Sequence, residues 1–301
     1  MRYLLVVNPG SRGGRSRPRH GYWISEMEAR GVDFHLAETR APGHARELAQ
    51  EAGGYDGVVA VGGDGTINEV LDGLLLSGRR DVAMGVLYAG TSPDFCRFHG
   101  ISTDPPTALQ RLLESRPRAV DAVRIRYRDA DRTIVNGHFG CSANVGLGAA
   151  VASVANRLRP TLGDTLGTGV AVLRAFFTTR PMTLRITTEG DTLELSRVNH
   201  LVVLKNPFIA SGLKLGVELT PDDGRLCLVA VTGRSPFGML GLLPGFYSGN
   251  AIRAPGVVVR YCTRVSLEAQ GPASLEFDGD PQGWLPAEMA ILPAALRLLG
   301  R

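Results

Sequence analysis

A glycine-rich acidic segment near the start of the chain combines the residue types that bind phosphate. It follows an apolar run at residues 58–61 and has the sequence GGDGTINE. Gly62, Gly63 and Gly65 permit positive φ and let backbone N–H groups approach an anion that a Cβ would hold away. Asp64 would repel bare phosphate, which points to a Mg²⁺ ion between its carboxylate and the phosphate groups. The segment therefore predicts a binding site for a metal–nucleotide.

The same segment has a second interpretation, as a tight turn that joins a strand to a helix. Glycine and aspartate favour such turns on local grounds alone, without any ligand. This interpretation leaves the polar side chains of Asn68 and Glu69 unexplained. We therefore rank it below the nucleotide-binding interpretation.

Two further polar turns follow apolar runs and add groups that suit a nucleotide. The first has the sequence NPGSRGG and offers backbone donors, the amide of Asn8 and the guanidinium of Arg12. The second has the sequence AGTSPD and supplies Thr91 and Asp94. Because the carboxyl ends of parallel strands meet at one edge of a sheet, we expect both turns to lie beside Asp64.

The elements that must position these turns change in type at about residue 119. Before it, strands alternate with helices, which predicts a Rossmann-like parallel α/β domain; the strands are at residues 3–7, 34–37, 58–61 and 82–87, and the helices at 18–31, 45–52, 68–76 and 106–113. After it, β-type runs predict an all-β domain, at residues 120–127, 133–139, 182–187, 192–203, 226–231 and 257–261. One further helix is predicted at residues 163–177.

The composition is that of a globular chain long enough for two domains. It has 301 residues, of which 44% are hydrophobic, and a formal net charge of +4. The excess charge is small, and no basic run is interleaved with aromatic residues, so a nucleic-acid partner is not expected. The charge is compatible with an anionic membrane surface.

The spacing of the cysteines and the length of the apolar segments indicate in which cellular compartment the protein is expected. The four cysteines are far apart and form no Cys-x-x-Cys pair, which indicates neither a zinc site nor a disulfide framework and favours the reduced cytoplasm. Residues 1–7 predict a first strand rather than a signal peptide, and no apolar stretch reaches the length of a membrane span. Residues 237–247 are apolar and could be a buried helix or a membrane-facing segment, with the buried helix favoured.

Three acidic features in the second half are candidates for chemistry. The sequence TPDDGR at residues 220–225 could hold a hard cation, although the same residues also favour a β-turn without metal, which we rank slightly higher. Asp278 and Asp280 lie on one predicted turn that could fold back over the nucleotide site. Asp121 is a third candidate, at a strand start where lone aspartates are typically structural.

In their order and spacing, these motifs resemble those of the bacterial diacylglycerol-kinase-like lipid kinases, relatives of the eukaryotic sphingosine, ceramide and diacylglycerol kinases. The shared motifs cover nearly the whole chain: Asn8-Pro9, Thr39 with PGHA at 42–45, GGDGTINE at 62–69, Gly90-Thr91 with Asp94-Phe95, NVGLG at 144–148, Asp222-Asp223-Gly224 and Asp278-Gly279. The resemblance implies an NAD kinase/diacylglycerol kinase-like fold, with an α/β nucleotide domain at residues 1–121 and a β-sandwich at 122–285. Residues 286–301 would return to the first domain, and the active site would lie in the cleft between the domains.

The resemblance also implies roles for individual residues. Together with the turns above, it gives a predicted ATP-binding set of Asn8, Arg12, Thr39, Gly62, Gly63, Asp64, Gly65, Thr66, Ile67, Asn68, Glu69 and Thr91. The predicted catalytic residues are Asp280, Asp64 and Asp121, with Asp280 as the general base. The family has a glutamate at the position of Asp280 and an asparagine at the position of Pro93. A second, structural Mg²⁺ would be held by Asp223 and the carbonyls of Thr220 and Arg225.

The leading hypothesis is an ATP-dependent lipid kinase that uses Mg²⁺ and phosphorylates a hydroxyl of diacylglycerol, phosphatidylglycerol or a related lipid. Such an enzyme would act peripherally, at the cytoplasmic face of a membrane. One alternative is an NAD kinase, since those enzymes share the acidic glycine turn and the two-domain plan. Another is a catalytically weak nucleotide- or lipid-binding relative, suggested by Asp280 and Pro93. A homodimer, formed through a sheet edge or residues 237–247, is left open.

Overall fold

The computed structural model describes residues 1–150, 179–209 and 213–301, and for Leu243, Asp280 and Pro281 it describes the backbone only. The chain forms two compact units. The first contains Met1–Ala122 and Leu292–Arg301, and the second contains Val123–Ile291. The helix predicted at residues 163–177 lies outside the described residues.

The first unit contains a parallel sheet. Its strands are β1 (Tyr3–Val7), β2 (Phe34–Glu38), β3 (Gly57–Gly62) and β4 (Ala83–Tyr88), in the order β4-β3-β1-β2. Leu298, near the end of the chain, pairs in parallel with Met84 of β4. All of these pairings are parallel, so the carboxyl ends of the strands lie along one edge, where ligands of such sheets gather.

Five helices belong to the first unit: α1 (Arg17–Ala29), α2 (His44–Gln50), α3 (Asp64–Leu76), α4 (Asp94–His99) and α5 (Pro105–Glu114). Leu5 and Val59 of the sheet are fully buried and share a core cluster with Trp23 of α1 and Leu109 of α5. The indole Nε1 of Trp23 donates to the carbonyl of Pro105 at 3.0 Å, which links α1 to α5. Burial of such side chains contributes roughly 1.5–3 kcal/mol each.

Each strand and helix predicted before residue 119 is present. Helix α3 starts at Asp64, four residues before its predicted start at residue 68. The first turn was missed because the two glycines that flank Asp64 have low helix propensity, so the sequence pattern does not indicate a helix there. Helix α4 was not predicted, since six residues are too few to show helical periodicity.

The second unit is built around antiparallel strands, as its sequence predicted. They are β5 (Arg118–Arg128), β6 (Ile134–Phe139), β7 (Ser142–Gly146), β8 (Met182–Thr188), β9 (Thr192–Leu204), β10 (Phe208–Ile209), β11 (Leu213–Lys214), β12 (Leu226–Thr232), β13 (Val257–Cys262), β14 (Arg264–Ala269), β15 (Ser274–Phe277) and β16 (Asp280–Leu298). Strands β13, β12, β9, β7, β15 and β16 are neighbours in that order. Strands β5 and β16 each have residues in both units. Phe139, Leu201 and Leu275 are among the side chains that fill the core.

Strands β7, β10, β11 and β14 to β16 were not predicted. Strand β16 contains Pro281, Pro286 and Pro293, and proline normally argues against a strand because it lacks the N–H that a ladder uses. The predicted α/β domain followed by an all-β domain is nevertheless confirmed.

The apolar segment at 237–247 forms two short helices, α6 (Pro236–Leu240) and α7 (Leu243–Ser248). Met239 and Leu242 are buried, whereas Phe237 is 73% exposed and Tyr247 is 71% exposed. The favoured interpretation as a buried segment therefore holds for part of it only. Among the described residues, no helix is both long and apolar enough to cross a bilayer.

Candidate functional site

The predicted ATP-binding residues of the first unit gather at the carboxyl edge of its sheet. Asn8 directly follows β1, and its Nδ2 donates to Thr66 Oγ1 of α3 at 3.1 Å. Thr39 follows β2, and its backbone N–H donates to Val7 O at 2.8 Å. Thr91 is exposed in the turn after β4. The ends of β1, β2 and β4 thus present polar groups along one edge, as the sequence predicted.

The glycines of the acidic turn are required by close approach and not by positive φ. A Cβ on Gly62 would lie 2.5 Å from Thr66 Oγ1, and one on Gly63 would lie 3.2 Å from Gly90 Cα. Gly63 is extended, with φ −93° and ψ −170°, and neither Gly62 nor Gly65 has positive φ. The positive φ that glycine permits is therefore not used at these positions. The backbones of the acidic turn and of the turn after β4 pack directly against each other at Gly63 and Gly90, which leaves no room for a side chain at either position.

Asp64 is the first residue of α3, with Gly63 as the N-cap. The first turn of a helix presents backbone N–H groups without helical partners, together with the positive end of the helix dipole, and this suits an anion. Tyr88 donates its hydroxyl to Asp64 Oδ2 at 3.0 Å. Burial, and next the charge of Asp64 and its hydrogen bond, raise the pKa of Tyr88 far above its usual value, so the phenol stays a donor at physiological pH.

The donor set around Asp64 fits a Mg²⁺ ion that arrives with a nucleotide. Among the described residues, no three His, Cys, Asp or Glu side chains form a group able to hold a metal. Mg²⁺ in nucleotide sites is bound by one or two carboxylates, with phosphates and water as its other ligands. Asp64, partly exposed at the helix N-terminus, can supply one carboxylate.

Residues 67–69 of α3 face the core or the start of α2. Ile67 is 1% exposed and packs in the interior, and Asn68 is also buried. Glu69, which sequence analysis placed in the ATP site, accepts hydrogen bonds from Gly43 N at 2.8 Å and Ala45 N at 3.1 Å. It therefore caps the N-terminus of α2. The local-turn interpretation left Glu69 unexplained, and this contact 26 residues away explains it.

Replacement of Glu69 by alanine should destabilise the protein, because it removes both capping bonds of α2. We expect a loss of about 1–3 kcal/mol in the free energy of unfolding, measured as a lower midpoint of thermal unfolding. Glu28→Ala, on the exposed face of α1, is the matched control. A normal unfolding midpoint together with lost ATP binding would contradict the capping role and return Glu69 to the nucleotide site.

Arg12 lies in an unusual loop after β1. Residues Ser11–Gly14 form a short 3-10 helix in which Arg12 has φ 53° and Gly13 has φ 64°. Left-handed backbone is costly for a residue with a Cβ and is frequent at functional sites. The Arg12 side chain is exposed beyond the strand end.

The turn after β4 continues into α4. Pro93 occupies the N-cap position of this helix, and Asp94 is its first residue. The carboxylate of Asp94 accepts from Ser92 Oγ at 3.0 Å and pairs with Arg97 at 3.5 Å. The Asp94 side chain is thus engaged in local contacts at the start of α4, whereas Thr91 is exposed.

Asp121, a predicted catalytic residue, is 4% exposed on β5. Its Oδ1 accepts from the backbone N–H of Ala294 at 2.9 Å, and Ala294 has φ 50°. The carboxylate supports this left-handed position in the returning segment of the first unit. The geometry favours a structural role for Asp121.

The turn that precedes Asp280 is anchored by two other carboxylates. Asp278 accepts hydrogen bonds from the backbone N–H groups of Gly140, Cys141 and Ser142 at 2.9–3.0 Å. The carboxylate of Glu276, which is 4% exposed, accepts from Asn144 Nδ2 at 2.6 Å and from the N–H of Gly279. These contacts fix the backbone on which Asp280 sits. The three bonds to Asp278 and the bond from Asn144 to Glu276 could not be predicted from local patterns, because their partners are more than 130 residues away. The side chain of Asp280 lies outside the described residues.

Two of the predicted metal ligands of the second unit, the Thr220 carbonyl and the Asp223 carboxylate, contact a lysine. Lys205 Nζ donates to Thr220 O at 2.9 Å and to Asp223 Oδ1 at 2.7 Å. Asp223 also accepts from the backbone N–H groups of Thr220 at 2.9 Å and Arg225 at 3.1 Å. Burial alone would raise the pKa of Asp223, but these hydrogen bonds and the charge of Lys205 outweigh it and lower the pKa. The Lys205 ammonium contacts the same carbonyl and carboxylate oxygens that the predicted Mg²⁺ would use.

Comparison with known proteins identifies the family. Residues 2–125 match the diacylglycerol kinase catalytic domain. Residues 141–300 match the YegS C-terminal NAD kinase beta sandwich-like domain, which covers more than half of the chain. The chain belongs to the diacylglycerol kinase-like family of lipid kinases. The predicted β-sandwich and the resemblance are thereby confirmed.

Relatives in this lipid kinase family match over nearly the whole length. A diacylglycerol kinase of Mycobacterium tuberculosis is 28% identical over 298 residues, which cover 98% of this chain and 93% of the relative. A "Probable lipid kinase YegS-like" protein of Klebsiella pneumoniae is 27% identical, with coverage of 98% and 94%. Family membership supports an enzyme of the lipid kinase type.

Solved structures share the fold. A crystal structure of a diacylglycerol kinase from Bacillus anthracis has a TM-score of 0.68 at 16% identity, covering 100% of this chain and 97% of that one. The structure of yeast NADH kinase complexed with NADH has a TM-score of 0.56 at 12% identity, covering 99% and 82%. At these identities the likeness concerns the fold alone.

Proposed function

We propose that this protein is an ATP-dependent lipid kinase, which transfers the γ-phosphate of ATP to a hydroxyl of diacylglycerol, phosphatidylglycerol or a similar lipid. The proposal rests on the close packing of two glycine turns at the N-terminus of α3. Gly63 and Gly90 approach each other so closely that neither position has room for a Cβ. Backbone at such a position can approach phosphate closely. Membership of the lipid kinase family supports a lipid as the acceptor.

The chain's own residues divide the work of phosphoryl transfer. The N–H groups of the first turn of α3 bind phosphate oxygens, and Asp64, whose carboxylate accepts a hydrogen bond from Tyr88, would hold the cation that accompanies the nucleotide. Mg²⁺, when bound, screens the charge that develops on the transferred phosphoryl group. Asp280 accepts the proton of the lipid hydroxyl. Glu276 and Asp278 act as positioning residues, because they fix the turn that carries Asp280.

The division of the chain into two units supports separate roles for each unit in substrate binding. We propose that the first unit is the nucleotide-binding domain and that the second is the lipid-substrate domain. The turns that suit phosphate all lie in the first unit, and the exposed aromatic side chains of α6 and α7 lie in the second.

Acceptor chemistry is tested with labelled γ-phosphate of ATP and lipids in mixed micelles. Diacylglycerol and phosphatidylglycerol offer a free hydroxyl, and triacylglycerol, which has none, is the matched control. We expect label in one or both hydroxyl lipids and none in triacylglycerol. Tight binding of ATP with no labelled lipid would favour a binding protein derived from a kinase.

The second candidate function is phosphorylation of NAD. The fold likeness to yeast NADH kinase complexed with NADH favours it. The paired aspartates at positions 222 and 223 and the Asp278-Gly279-Asp280 turn support the lipid branch instead. A direct competition between lipid and NAD for the labelled γ-phosphate distinguishes the two functions.

We further propose that α6 and α7 contact the membrane surface that carries the lipid. Phe237 and Tyr247 expose large apolar areas, and the exposed Arg253 follows α7. Aromatic side chains with nearby cations suit the interface of an anionic bilayer.

Replacement of both Phe237 and Tyr247 by serine should reduce binding to anionic vesicles by about 10-fold or more, because each ring loses up to a few kcal/mol of apolar burial. Vesicle co-sedimentation measures the change. Ile134→Ser is the control, since Ile134 is 51% exposed on β6. If the double variant and the control bind alike, the membrane surface lies elsewhere.

A further inference from the structure

The end of strand β9 carries a fully buried cation. Lys205 follows β9 directly and is 1% exposed, and its backbone N–H donates to Cys141 O at 2.8 Å. The ammonium contacts the Thr220 carbonyl and the Asp223 carboxylate at 2.9 and 2.7 Å. A buried ammonium is stable only when it is paired and hydrogen-bonded, and these oxygens provide both.

The oxygens that surround this ammonium are those that a divalent cation would use. A carboxylate and the carbonyls of a turn are the ligands that hard cations prefer. Asp223 is itself fixed by the N–H groups of Thr220 and Arg225, and its Oδ2 lies 3.6 Å from the Arg225 guanidinium, so both of its oxygens already face a cation. A metal ion on Thr220 O and Asp223 Oδ1 would overlap the ammonium.

Lysine is a rare residue in this chain, and its occurrence at position 205 calls for a physical reason. The chain has 33 lysines and arginines together, and only Lys205 and Lys214 are lysines. Lysine carries a compact point charge, whereas the planar guanidinium of arginine spreads its donors over a wide fork. Two oxygens at 2.9 and 2.7 Å from a single nitrogen therefore suit the compact ammonium of lysine.

We propose that the Lys205 ammonium takes the place of the divalent cation that the family resemblance implies at residues 220–225, so that this turn is stabilised without Mg²⁺. The lysine is part of the chain, and the turn is consequently held at any metal concentration. The inference rests on the second unit alone and stands whether or not the protein phosphorylates lipids.

The test measures thermal unfolding of the full chain without nucleotide. For the wild-type protein we expect midpoints in EDTA and in millimolar Mg²⁺ that agree within about 1 °C, because a ligand that does not bind the folded state cannot stabilise it. Titration with Mn²⁺, followed by electron paramagnetic resonance, should detect no tightly bound ion. A wild-type midpoint that falls in EDTA, together with one Mn²⁺ bound per chain and lost in Asp223→Asn, would overturn the proposal.

The variant Lys205→Ala removes the ammonium and opens its space. We expect its midpoint to fall by on the order of 10 °C, since one partner of a buried ion pair is lost, and to recover in part when Mg²⁺ or Ca²⁺ is added. Lys214→Ala, at an exposed position, is the control and should behave as the wild type. A Lys205→Ala protein as stable as the wild type in EDTA would contradict the proposal. If the variant does not fold, the wild-type measurements with EDTA and Mn²⁺ decide.

Discussion

Replacement of Asp64 by alanine should lower the rate of phosphoryl transfer at least about 100-fold and weaken the binding of ATP with Mg²⁺. The carboxylate lies at the N-terminus of α3, next to the N–H groups that we assign to the phosphates. Without it, the accompanying cation loses its protein ligand. Steady-state rates and equilibrium binding of the nucleotide measure the two effects separately.

Two further variants locate the cause of the Asp64 effect. Tyr88→Phe removes only the hydroxyl that donates to Asp64 and should cost less than the loss of the carboxylate itself. Asp81→Ala, at an exposed position just before β4, is the matched control and should keep full activity. Full turnover in Asp64→Ala would remove this residue from the site and with it the assignment of the glycine turn to phosphate.

The second large effect is expected at Asp280. Asp280→Asn keeps the shape of the side chain and removes its ability to accept a proton, so kcat should fall by about 10²–10⁴-fold. Nucleotide affinity should be unchanged, because the residue is assigned to the acceptor hydroxyl. Asp131→Asn, at an exposed position in the same unit, is the control. Unchanged kcat in Asp280→Asn would exclude Asp280 as the base.

The length of the Asp280 side chain can be tested by restoring the glutamate typical of the family. Aspartate is shorter by one methylene, roughly 1.5 Å, and a misplacement of about 1 Å can cost on the order of 100-fold in rate. A large gain in Asp280→Glu would show that the wild-type base falls short. Activity equal to the wild type would show that the turn, anchored by Glu276 and Asp278, compensates for the shorter side chain.

The strand ends that carry the candidate site could be predicted from sequence, because each combines an apolar run with a local turn signal. Asn8, Asp64 and Thr91 all follow such runs, and parallel topology brings them to one edge. The start of α3 was missed by four residues, since glycine next to Asp64 conceals a helix that tertiary packing stabilises.

Contacts between distant residues could not be predicted from local patterns. Glu69 caps a helix 24 to 26 residues away, and Lys205 reaches a carboxylate 18 residues along the chain. Asp278 binds amides more than 130 residues away. A motif states which residue types are present, but only the fold decides whether a carboxylate faces a ligand, a helix end or a lysine.

The most direct test of the lipid kinase assignment is a competition in one tube. Labelled γ-phosphate of ATP is supplied with Mg²⁺, diacylglycerol in mixed micelles and NAD at equal concentration, and label is counted in the lipid and the aqueous nucleotide fractions. The account predicts label in the lipid fraction for the wild type and its loss in Asp64→Ala. Label in NAD with none in lipid would contradict it and move the protein to the nucleotide kinases.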